Sequence, residues 1–361
     1  MGDFLTKENF RKSLWFIKEY GIRAFLRHVK HKFSANAPKD QIISPLKIVE
    51  PRNKGWQSQS IWDNSREQYQ KGDFKIYWEL LPEVAKYQNR CMVGDESTYC
   101  LTYALNYLKE NTGAGKLRGL SIGCNETGPE ISFYQTGLFD SIEIFDVAEG
   151  LLEKQRRIAQ VKGLHRIAYT MQDCNVLQLR GNAYHFIWAV GTIHHIENLE
   201  DFFDQINYAL TDDGIFVMRE YVGPNRVQFS DLQLSLVNEI LSILPEKYRK
   251  TYYGTVKEGV QRISLEDLIK ADPSESIRSQ DIIPLIKETL EPIKIAYTGG
   301  TLLHPLLNEI ASNFEGDENR NAILKLLILF EKTLVDKGVL PSDYVFCMAK
   351  KKKTVSSYLS E

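Results

Sequence analysis

A change of pattern near residue 117 constrains the fold more than any other feature of the sequence. From that point short apolar runs alternate with segments of helical periodicity. Strands separated by helices form βαβ units, which build a parallel sheet with helices on both faces. We therefore predict a doubly wound α/β fold with a mostly parallel sheet of seven strands. The predicted strands are 118–122, 142–146, 166–170, 184–190, 214–220, 293–298 and 343–349, and the helices between the first five are 129–136, 149–162 and 199–210.

The rest of the chain is predicted to form additions around this core. Residues 1–112 form a helical N-terminal extension and cap, within which 34–60 has the proline-containing, polar composition of a loop. Residues 113–222 hold the α/β core, and 291–361 supply its remaining strands. Residues 223–290 are too long for a structureless connection and have a largely helical pattern, so we predict a lid over the carboxyl ends of the strands.

The composition excludes several classes of protein. The chain has 45 Lys and Arg against 47 Asp and Glu, which does not suit a protein that mainly neutralises nucleic-acid phosphates, so no nucleic-acid partner is predicted. Its five cysteines are scattered and form no C-x-x-C pair, which argues against a disulfide framework or a zinc site. No apolar run approaches the roughly 20 residues that cross a bilayer, and the N-terminus lacks the pattern of a signal peptide. We expect a soluble, cytoplasmic protein.

The first 33 residues combine an approximate apolar stripe with a basic surface. Eight Lys and Arg residues stand against three acidic residues between Met1 and Phe33. Two interpretations stay open: a helix docked on its own domain or on a second subunit, which we favour, or an amphipathic helix lying peripherally on a membrane. The residues of the stripe are Leu14, Ile17, Ile22, Phe25, Leu26, Val29 and Phe33.

Three features in chain order indicate a nucleoside-binding site. Gly123 lies where the first core strand turns into a helix, and its lack of a Cβ lets the backbone approach a ligand. Asp146 ends the second strand 23 residues later, which suits a carboxylate that accepts the ribose hydroxyls. Asp173 follows the third strand, where it can accept a hydrogen bond from an adenine amino group. Each aspartate alone is more often a helix N-cap or a turn residue, but the three features together favour the nucleoside site.

A dinucleotide-binding dehydrogenase would use the same turn and the same ribose carboxylate. Its phosphates, however, require the spacing G-x-G-x-x-G at the start of the helix. Gly123 and Gly128 do not have this spacing. The sequence therefore favours a nucleoside cofactor that carries no phosphate.

The segments around these residues resemble the cofactor motifs of class I S-adenosylmethionine-dependent methyltransferases. The resemblance rests on Ser121-Ile-Gly-Cys-Asn125, on Asp146, on Gln172-Asp173 and on Trp188-Ala-Val-Gly-Thr-Ile-His-His195. It implies a Rossmann-like methyltransferase fold that ends in two antiparallel strands, with S-adenosyl-L-methionine as cofactor. Ser121 and Asn125 depart from the family, which usually has an acidic residue and a glycine there. The cofactor-binding residues that it implies are Gly123, Cys124, Asn125, Gly128, Asp146, Val147, Gln172, Asp173, Cys174, Val190 and Gly191.

Two later segments resemble those of a bacterial subgroup of small-molecule methyltransferases: Glu220-Tyr-Val-Gly-Pro-Asn-Arg226 and Asp272-Pro-Ser-Glu-Ser-Ile-Arg278. The resemblance implies transfer of a methyl group from S-adenosylmethionine to an oxygen or nitrogen atom of a small acceptor, such as a sugar or a secondary metabolite. The alternative is a non-catalytic cofactor-binding or scaffold protein that retains the fold, because a fold does not by itself imply a function.

Methyl transfer needs an acceptor held in line and a group that takes its proton. His195 follows the fourth strand, whose end faces the cofactor crevice, and is the predicted general base, with Glu220 as the second choice. A structural histidine that caps the next helix is the alternative for His195. No metal site is predicted, because Gly191 and His194, rather than carboxylates, are the neighbours of His195. The predicted acceptor-binding residues are His194, Tyr221, Asn225, Arg226, Arg278 and His304.

Overall fold

The computed structural model describes residues 47–48, 77–124 and 129–353. In this part of the chain one sheet contains β1 (Lys47–Ile48), β2 (Leu117–Ile122), β3 (Phe139–Asp146), β4 (Ile167–Met171), β5 (Tyr184–Val190), β6 (Leu210–Tyr221), β7 (Leu290–Tyr297) and β8 (Tyr344–Lys351). Their order is β1-β4-β3-β2-β5-β6-β8-β7. Strands β1 to β6 are parallel, and β8 lies antiparallel between β6 and β7. Because β2 has β3 on one side and β5 on the other, a crevice opens at the carboxyl ends of β2 and β5.

Helices separate most of these strands. The α-helices of the described residues are α1 (Pro82–Val93), α2 (Cys100–Asn111), α3 (Pro129–Gln135), α4 (Glu149–Val161), α5 (Leu199–Ala209), α6 (Asp231–Ile243), α7 (Glu246–Arg249), α8 (Leu265–Ala271), α9 (Ile282–Thr289), α10 (Leu303–Leu307) and α11 (Glu318–Asp336). None of them combines the length and the apolar character needed to span a membrane.

Helices cover both faces of the sheet, as a doubly wound fold requires. Strand β5 carries Phe186, Ile187, Trp188 and Ala189 in succession, and all four side chains are buried, because a central parallel strand packs on both of its faces. Phe186 and Trp188 pack in the layer of α2, α3 and α4, whereas Ile187 and Ala189 pack in the layer of α5 and α9. Full burial of a large apolar side chain contributes about 1.5–3 kcal/mol, so these two layers hold the crevice in a fixed shape.

A third apolar core lies at one end of the sheet. It joins α1, α6, α7, α10 and α11 to Tyr221 and Tyr344. Tyr221 is the last residue of β6, and Tyr344 pairs with it at the start of β8. This helical layer therefore meets the sheet at the edge where the parallel strands end.

The seven predicted strands are all present, and the mostly parallel sheet with an antiparallel end is confirmed. Strand β1 is an eighth strand inside 34–60, which the sequence predicts as a loop. It pairs with the outer edge of β4. A strand of two residues has no detectable periodicity, which is why the sequence pattern missed it.

Two segments differ from the expected organisation. Helix α9 falls inside the predicted lid 223–290, yet its Ile282, Ile283 and Ile286 are buried in the sheet layer that contains α5. Helices α10 and α11 lie between β7 and β8, so a long helical segment, and not a short hairpin turn, connects the two antiparallel strands. The predicted helix within 1–33 lies outside the described residues.

Candidate active site

The turn after β2 requires a glycine at position 123. Gly123 has φ 86°, a left-handed conformation that side chains disfavour. Its N–H donates to the Phe145 carbonyl at 2.8 Å. A Cβ on Gly123 would lie 2.0 Å from Oγ1 of Thr192. The turns that follow β2 and β5 are therefore in direct contact, at the point where the crevice opens.

Asp146 links the β2 turn to the end of β3. Its Oδ2 accepts a hydrogen bond from the Cys124 N–H at 2.6 Å, and its Oδ1 accepts one from the Ala148 N–H at 2.7 Å, just before α4. These two bonds hold the Asp146 carboxylate at the carboxyl end of β3, beside the turn that follows β2. Val147, next in the chain, is half-buried. Asn125 and Gly128 lie outside the described residues.

One carboxylate oxygen of Asp173 has no hydrogen-bond donor among the described residues. Its Oδ1 accepts from the Asn175 backbone N–H at 2.8 Å and from the Asn175 side chain at 3.0 Å. Its Oδ2 is buried and finds no hydrogen-bond partner among the described residues. A buried acceptor of this kind calls for a donor from a ligand or from water. The predicted adenine contact therefore fits the structure.

The other predicted cofactor residues lie along the same rim. Gln172 is buried, and its N–H donates to the Asp146 carbonyl at 2.9 Å, which joins the ends of β3 and β4. Cys174 is buried behind Asp173. Val190 is half-buried and Gly191 is exposed, and Gly191 has φ 60° at the end of β5.

Glu130 is a site residue that the sequence analysis missed. Ser121, at the position where the family usually carries an acid, donates its hydroxyl to Glu130 Oε1 at 2.9 Å. The Oε2 of Glu130 is buried and has no hydrogen-bond partner in the described part of the chain. Burial raises the pKa of Glu130 to about 7, and the negative charge of Asp146 adds to the shift. The first turn of α3 thus supplies the carboxyl group that Ser121 lacks.

Glu220 holds the two histidines after β5 in place. It is buried, and its Oε1 accepts the backbone N–H groups of Thr192 and of Ile193, the latter at 2.7 Å. Its Oε2 lies 2.6 Å from Nδ1 of His194 and accepts the Tyr221 N–H at 3.0 Å. The second-choice base is therefore corrected: Glu220 is a positioning residue, because both of its oxygens are occupied and no solvent reaches them.

The two histidines have opposite electrostatic environments. Burial lowers the pKa of His194, but the negative charge of Glu220 and its hydrogen bond outweigh burial and raise that pKa to about 9. Burial and the positive charge of His194 lower the pKa of His195 well below its usual value. The Nδ1 of His195 lies 3.1 Å from Oγ of Ser274, which in turn donates to Asp272 at 2.7 Å. His194 is thus cationic near neutral pH, and His195 is neutral.

Asn225 and Arg226 hold a lid loop, residues 272–280, against the end of β6. The Asn225 side chain accepts the Gln280 N–H at 2.9 Å. The Arg226 N–H donates to the Ser276 carbonyl at 2.6 Å, and its guanidinium donates to the Pro273 carbonyl at 2.7 Å. These two predicted acceptor-binding residues therefore use their polar groups to bring the lid loop over the histidines.

Arg278, another predicted acceptor-binding residue, is engaged on the outer side of this loop. Its guanidinium donates to both oxygens of Glu200 at 2.7 Å and to Asp281 at 2.8 Å. A bidentate ion pair of this kind fixes the plane of the guanidinium. Arg278 thereby fastens the lid loop to the start of α5.

His304 lies in an aromatic cluster beside the histidine pair. Its Nδ1 is 3.2 Å from the hydroxyl of Tyr344, and its ring stacks on Trp78 at 5.9 Å between centroids. Tyr221 lies 6.4 Å from His304 and 6.3 Å from His194. Burial lowers the pKa of His304 to about 4. The fold thus brings the predicted residues His304, Tyr221 and His194 together, and adds Trp78, which the sequence analysis did not single out.

A set of three possible metal ligands also meets here. One ring nitrogen of His194, one ring nitrogen of His195 and one carboxylate oxygen of Glu275 all lie within 4.8 Å of one another. The sequence argument against a metal site considered only the chain neighbours of His195. It missed Glu275, which the lid loop brings in from a distant part of the sequence.

Comparison with known families identifies this architecture. Residues 120–218 match the family model described as a methyltransferase domain. This part of the chain is therefore similar to a methyltransferase domain, in agreement with the resemblance of its motifs. The match runs from β2 to β6 and contains Gly123, Asp146, Asp173 and His195, whereas Glu275 lies beyond it.

Three solved structures are similar to the chain around its methyltransferase domain. The (4+2)-cyclase SpnF is 15% identical, with 87% of this chain and 100% of that chain covered and a TM-score of 0.44. Geranyl diphosphate C-methyltransferase from Streptomyces coelicolor is 12% identical, with 84% and 100% covered and a TM-score of 0.45. Phosphoethanolamine N-methyltransferase 2 from Haemonchus contortus is 13% identical, with 80% and 60% covered and a TM-score of 0.41. Sequence identities and TM-scores this low carry no information about the methyl acceptor. A search of curated proteins found no match.

Proposed function

We propose that the protein transfers a methyl group from S-adenosylmethionine to an oxygen or nitrogen atom of a small-molecule acceptor, such as a sugar or a secondary metabolite. The observation that supports this most directly is the contact between Gly123 and Thr192. It places the cofactor turn next to His194 and His195, which follow Thr192 in the chain. When bound, the cofactor supplies a methyl group on a positively charged sulfur that is already reactive towards a nucleophile.

Three carboxyl groups are placed to hold the cofactor. The Asp146 carboxylate lies beside the turn after β2, where it suits the ribose hydroxyls. The buried Oδ2 of Asp173, which has no hydrogen-bond partner among the described residues, suits the adenine amino group. The buried Oε2 of Glu130, which meets no donor in the part of the chain that the structure describes, suits a third donor on the same side of the crevice. Charge-assisted hydrogen bonds to carboxylates contribute more than neutral ones, so these groups account for a specific cofactor site.

The acceptor side is formed by the histidine pair and by the aromatic cluster of Trp78, Tyr221, Tyr344 and His304. Aromatic faces pack well on the flat apolar side of a ring and exclude water from it. In the protein without a bound metal ion, His195 is the group placed to take the proton of the acceptor, because Ser274 orients its imidazole. A positioned base contributes roughly 10²–10⁴-fold to a rate.

Two measurements test the proposal. Calorimetry with S-adenosylmethionine and its demethylated product should show one site per chain. Mass spectrometry of small-molecule extracts, incubated with cofactor and protein, should show a compound that gains one methyl group, and His195→Gln should lower the rate of that gain while keeping the cofactor affinity. Cofactor binding with no methyl gain in any extract would favour the non-catalytic alternative. Absence of cofactor binding would refute the proposal.

A further inference from the structure

The three-ligand set of His194, His195 and Glu275 has the composition of a transition-metal site. The Nε2 of His194 lies 3.9 Å from Oε1 of Glu275, and a ring nitrogen of His195 completes a triangle with no side above 4.8 Å. Ligand atoms bound to one ion at about 2.0–2.2 Å lie about 3–4 Å apart, so modest side-chain rotations bring all three onto a single ion. The two imidazole rings are already 4.0 Å apart between centroids.

The groups behind the ligands are those that orient metal-binding histidines. Such a histidine commonly bonds through its other ring nitrogen to a carboxylate, which fixes the ring. Nδ1 of His194 lies 2.6 Å from Glu220, and Nδ1 of His195 lies 3.1 Å from Ser274, which donates to Asp272. The carboxylates Glu220, Glu275 and Asp272 all act on His194 electrostatically. This half-buried corner thus brings three carboxylates close to two imidazole rings, an arrangement that favours a cation.

We propose that His194, His195 and Glu275 bind one divalent transition-metal ion, of the zinc or cobalt kind, and that this ion binds an oxygen of the methyl acceptor. Two imidazoles and one carboxylate suit these ions, whereas Mg²⁺ and Ca²⁺ prefer oxygen ligands alone. Three protein ligands leave coordination positions open, as catalytic metal sites do.

The position of the site narrows the acceptor class, an inference that rests on the proposed function. Thr192, which touches Gly123, directly precedes the 3-10 turn Ile193–His195. A hydroxyl bound to the ion would thus lie beside the cofactor turn, and a metal-bound hydroxyl loses its proton more easily. Its O–H bond breaks and the proton goes to solvent. An O–CH₃ bond then forms as the S–CH₃ bond breaks, with the electron pair left on sulfur. The acceptor is accordingly an alcohol or phenol rather than an amine.

Co²⁺ titration of untagged, chelator-treated protein tests the site without turnover. The visible absorption of protein-bound Co²⁺ should saturate at one ion per chain, and Zn²⁺ should displace it. Glu275→Gln keeps the size of the side chain but removes the charge, and should weaken Co²⁺ binding by at least about 100-fold, more than the loss of an outer partner of a metal ligand costs. Glu197→Gln is the matched control. Glu197 is exposed and lies two residues after His195, so its replacement should leave Co²⁺ binding unchanged.

The outcomes separate the metal site from the proposed function. No Co²⁺ or Zn²⁺ binding to the parent protein, or equal binding by Glu275→Gln and the parent, would overturn the metal site. Methyl gain at full rate in chelator-treated protein, or methylation of an amine, would overturn the role given to the ion while the methyltransferase proposal stands. Cofactor binding, measured by calorimetry in the metal-free protein, reports on the proposed function alone.

Discussion

Gly123 and Thr192 are in contact across the two central strands of the sheet: a Cβ at position 123 would lie 2.0 Å from the Thr192 hydroxyl oxygen. The contact joins the turn that faces the cofactor to the turn that carries His194 and His195. The absence of a side chain at position 123 is what lets the Thr192 side chain pack against this turn.

Gly123→Ala should lose cofactor binding. The alanine is strained at φ 86° and also meets Thr192, and misplacement of the turn separates Cys124 from Asp146. Gly94→Ala is the matched control, because Gly94 has φ 83° but nothing within 4 Å of the added Cβ. The control should cost about 1–2 kcal/mol of unfolding free energy and keep its affinity for S-adenosylmethionine. Calorimetry and thermal unfolding of both variants measure the difference. Equal effects of the two substitutions would show that the contact with Thr192 is unimportant.

Asp173→Asn should weaken cofactor binding without destabilising the protein. The Oδ2 of Asp173 has no hydrogen-bond partner in the described residues, so an NH₂ group there breaks no protein contact but faces the adenine amino group, donor against donor. A loss of about 1–3 kcal/mol in binding is expected. S-inosylhomocysteine, which lacks the amino group, provides the control: the parent should bind it more weakly than S-adenosylhomocysteine, and the variant should not. A variant that keeps the preference of the parent would place the adenine elsewhere.

The sequence predicts the parts of this site that depend on local order along the chain. Gly123, Asp146 and Asp173 each lie at the carboxyl end of a strand, and parallel strands bring these ends to one edge of the sheet. Their order and spacing along the chain are therefore sufficient to predict that they lie close together. Glu275 depends on the folding of the lid, since 79 residues separate the contact partners His195 and Ser274. No periodic pattern in the sequence connects residues that lie so far apart along the chain. One feature of the sequence indicates a residue such as Glu130. Ser121 stands where the family usually has an acidic residue, so another residue has to supply that carboxyl group.

The role of Glu220 as second-choice base also depends on contacts between distant parts of the chain, which the sequence pattern does not show. The sequence predicts that Glu220, at the end of the fifth predicted strand, leaves that strand toward the same rim as His195. The sequence does not show that the turn Thr192–Ile193 presents two backbone N–H groups to its carboxylate. Such bonds convert a candidate base into a positioning residue, and they exist only once β5 and β6 pair.

The stability of the ligand-free protein should fall as the pH rises from about 4.5 to about 7, partly because of Glu130. Burial raises the pKa of this carboxyl group from 4.5 to about 7 in the folded protein. The folded state therefore holds the proton more tightly than the unfolded state, and the stabilisation is present at low pH and lost as the carboxyl group ionises. The loss amounts to about 3 kcal/mol at most.

Glu130→Gln should remove this part of the pH dependence, because an amide does not ionise. Burial also raises the pKa of Asp343 to about 7, so the parent protein and the variant must be compared at each pH. Urea unfolding from pH 4.5 to 8 should show the variant gaining on the parent towards high pH. The exposed control Glu197→Gln should follow the parent. Parallel curves for the parent and Glu130→Gln would mean that Glu130 is ionised throughout.

Arg226→Ala should release the lid loop and weaken acceptor binding, while S-adenosylmethionine binds as before. The guanidinium of Arg226 donates to the carbonyls of Pro273 at 2.7 Å and Glu275 at 3.3 Å, on either side of Ser274. Hydrogen bonds from a charged donor are each worth about 1.5–3 kcal/mol, so KM for the acceptor should rise at least about tenfold. Hydrogen exchange of 273–278 should become faster. Arg320→Ala is the matched control, because its guanidinium also donates to a backbone carbonyl, that of Glu315 at 3.0 Å, but far along the chain from the lid loop. Unchanged exchange in Arg226→Ala would show that the backbone bond from Arg226 to Ser276 holds the loop without the side chain.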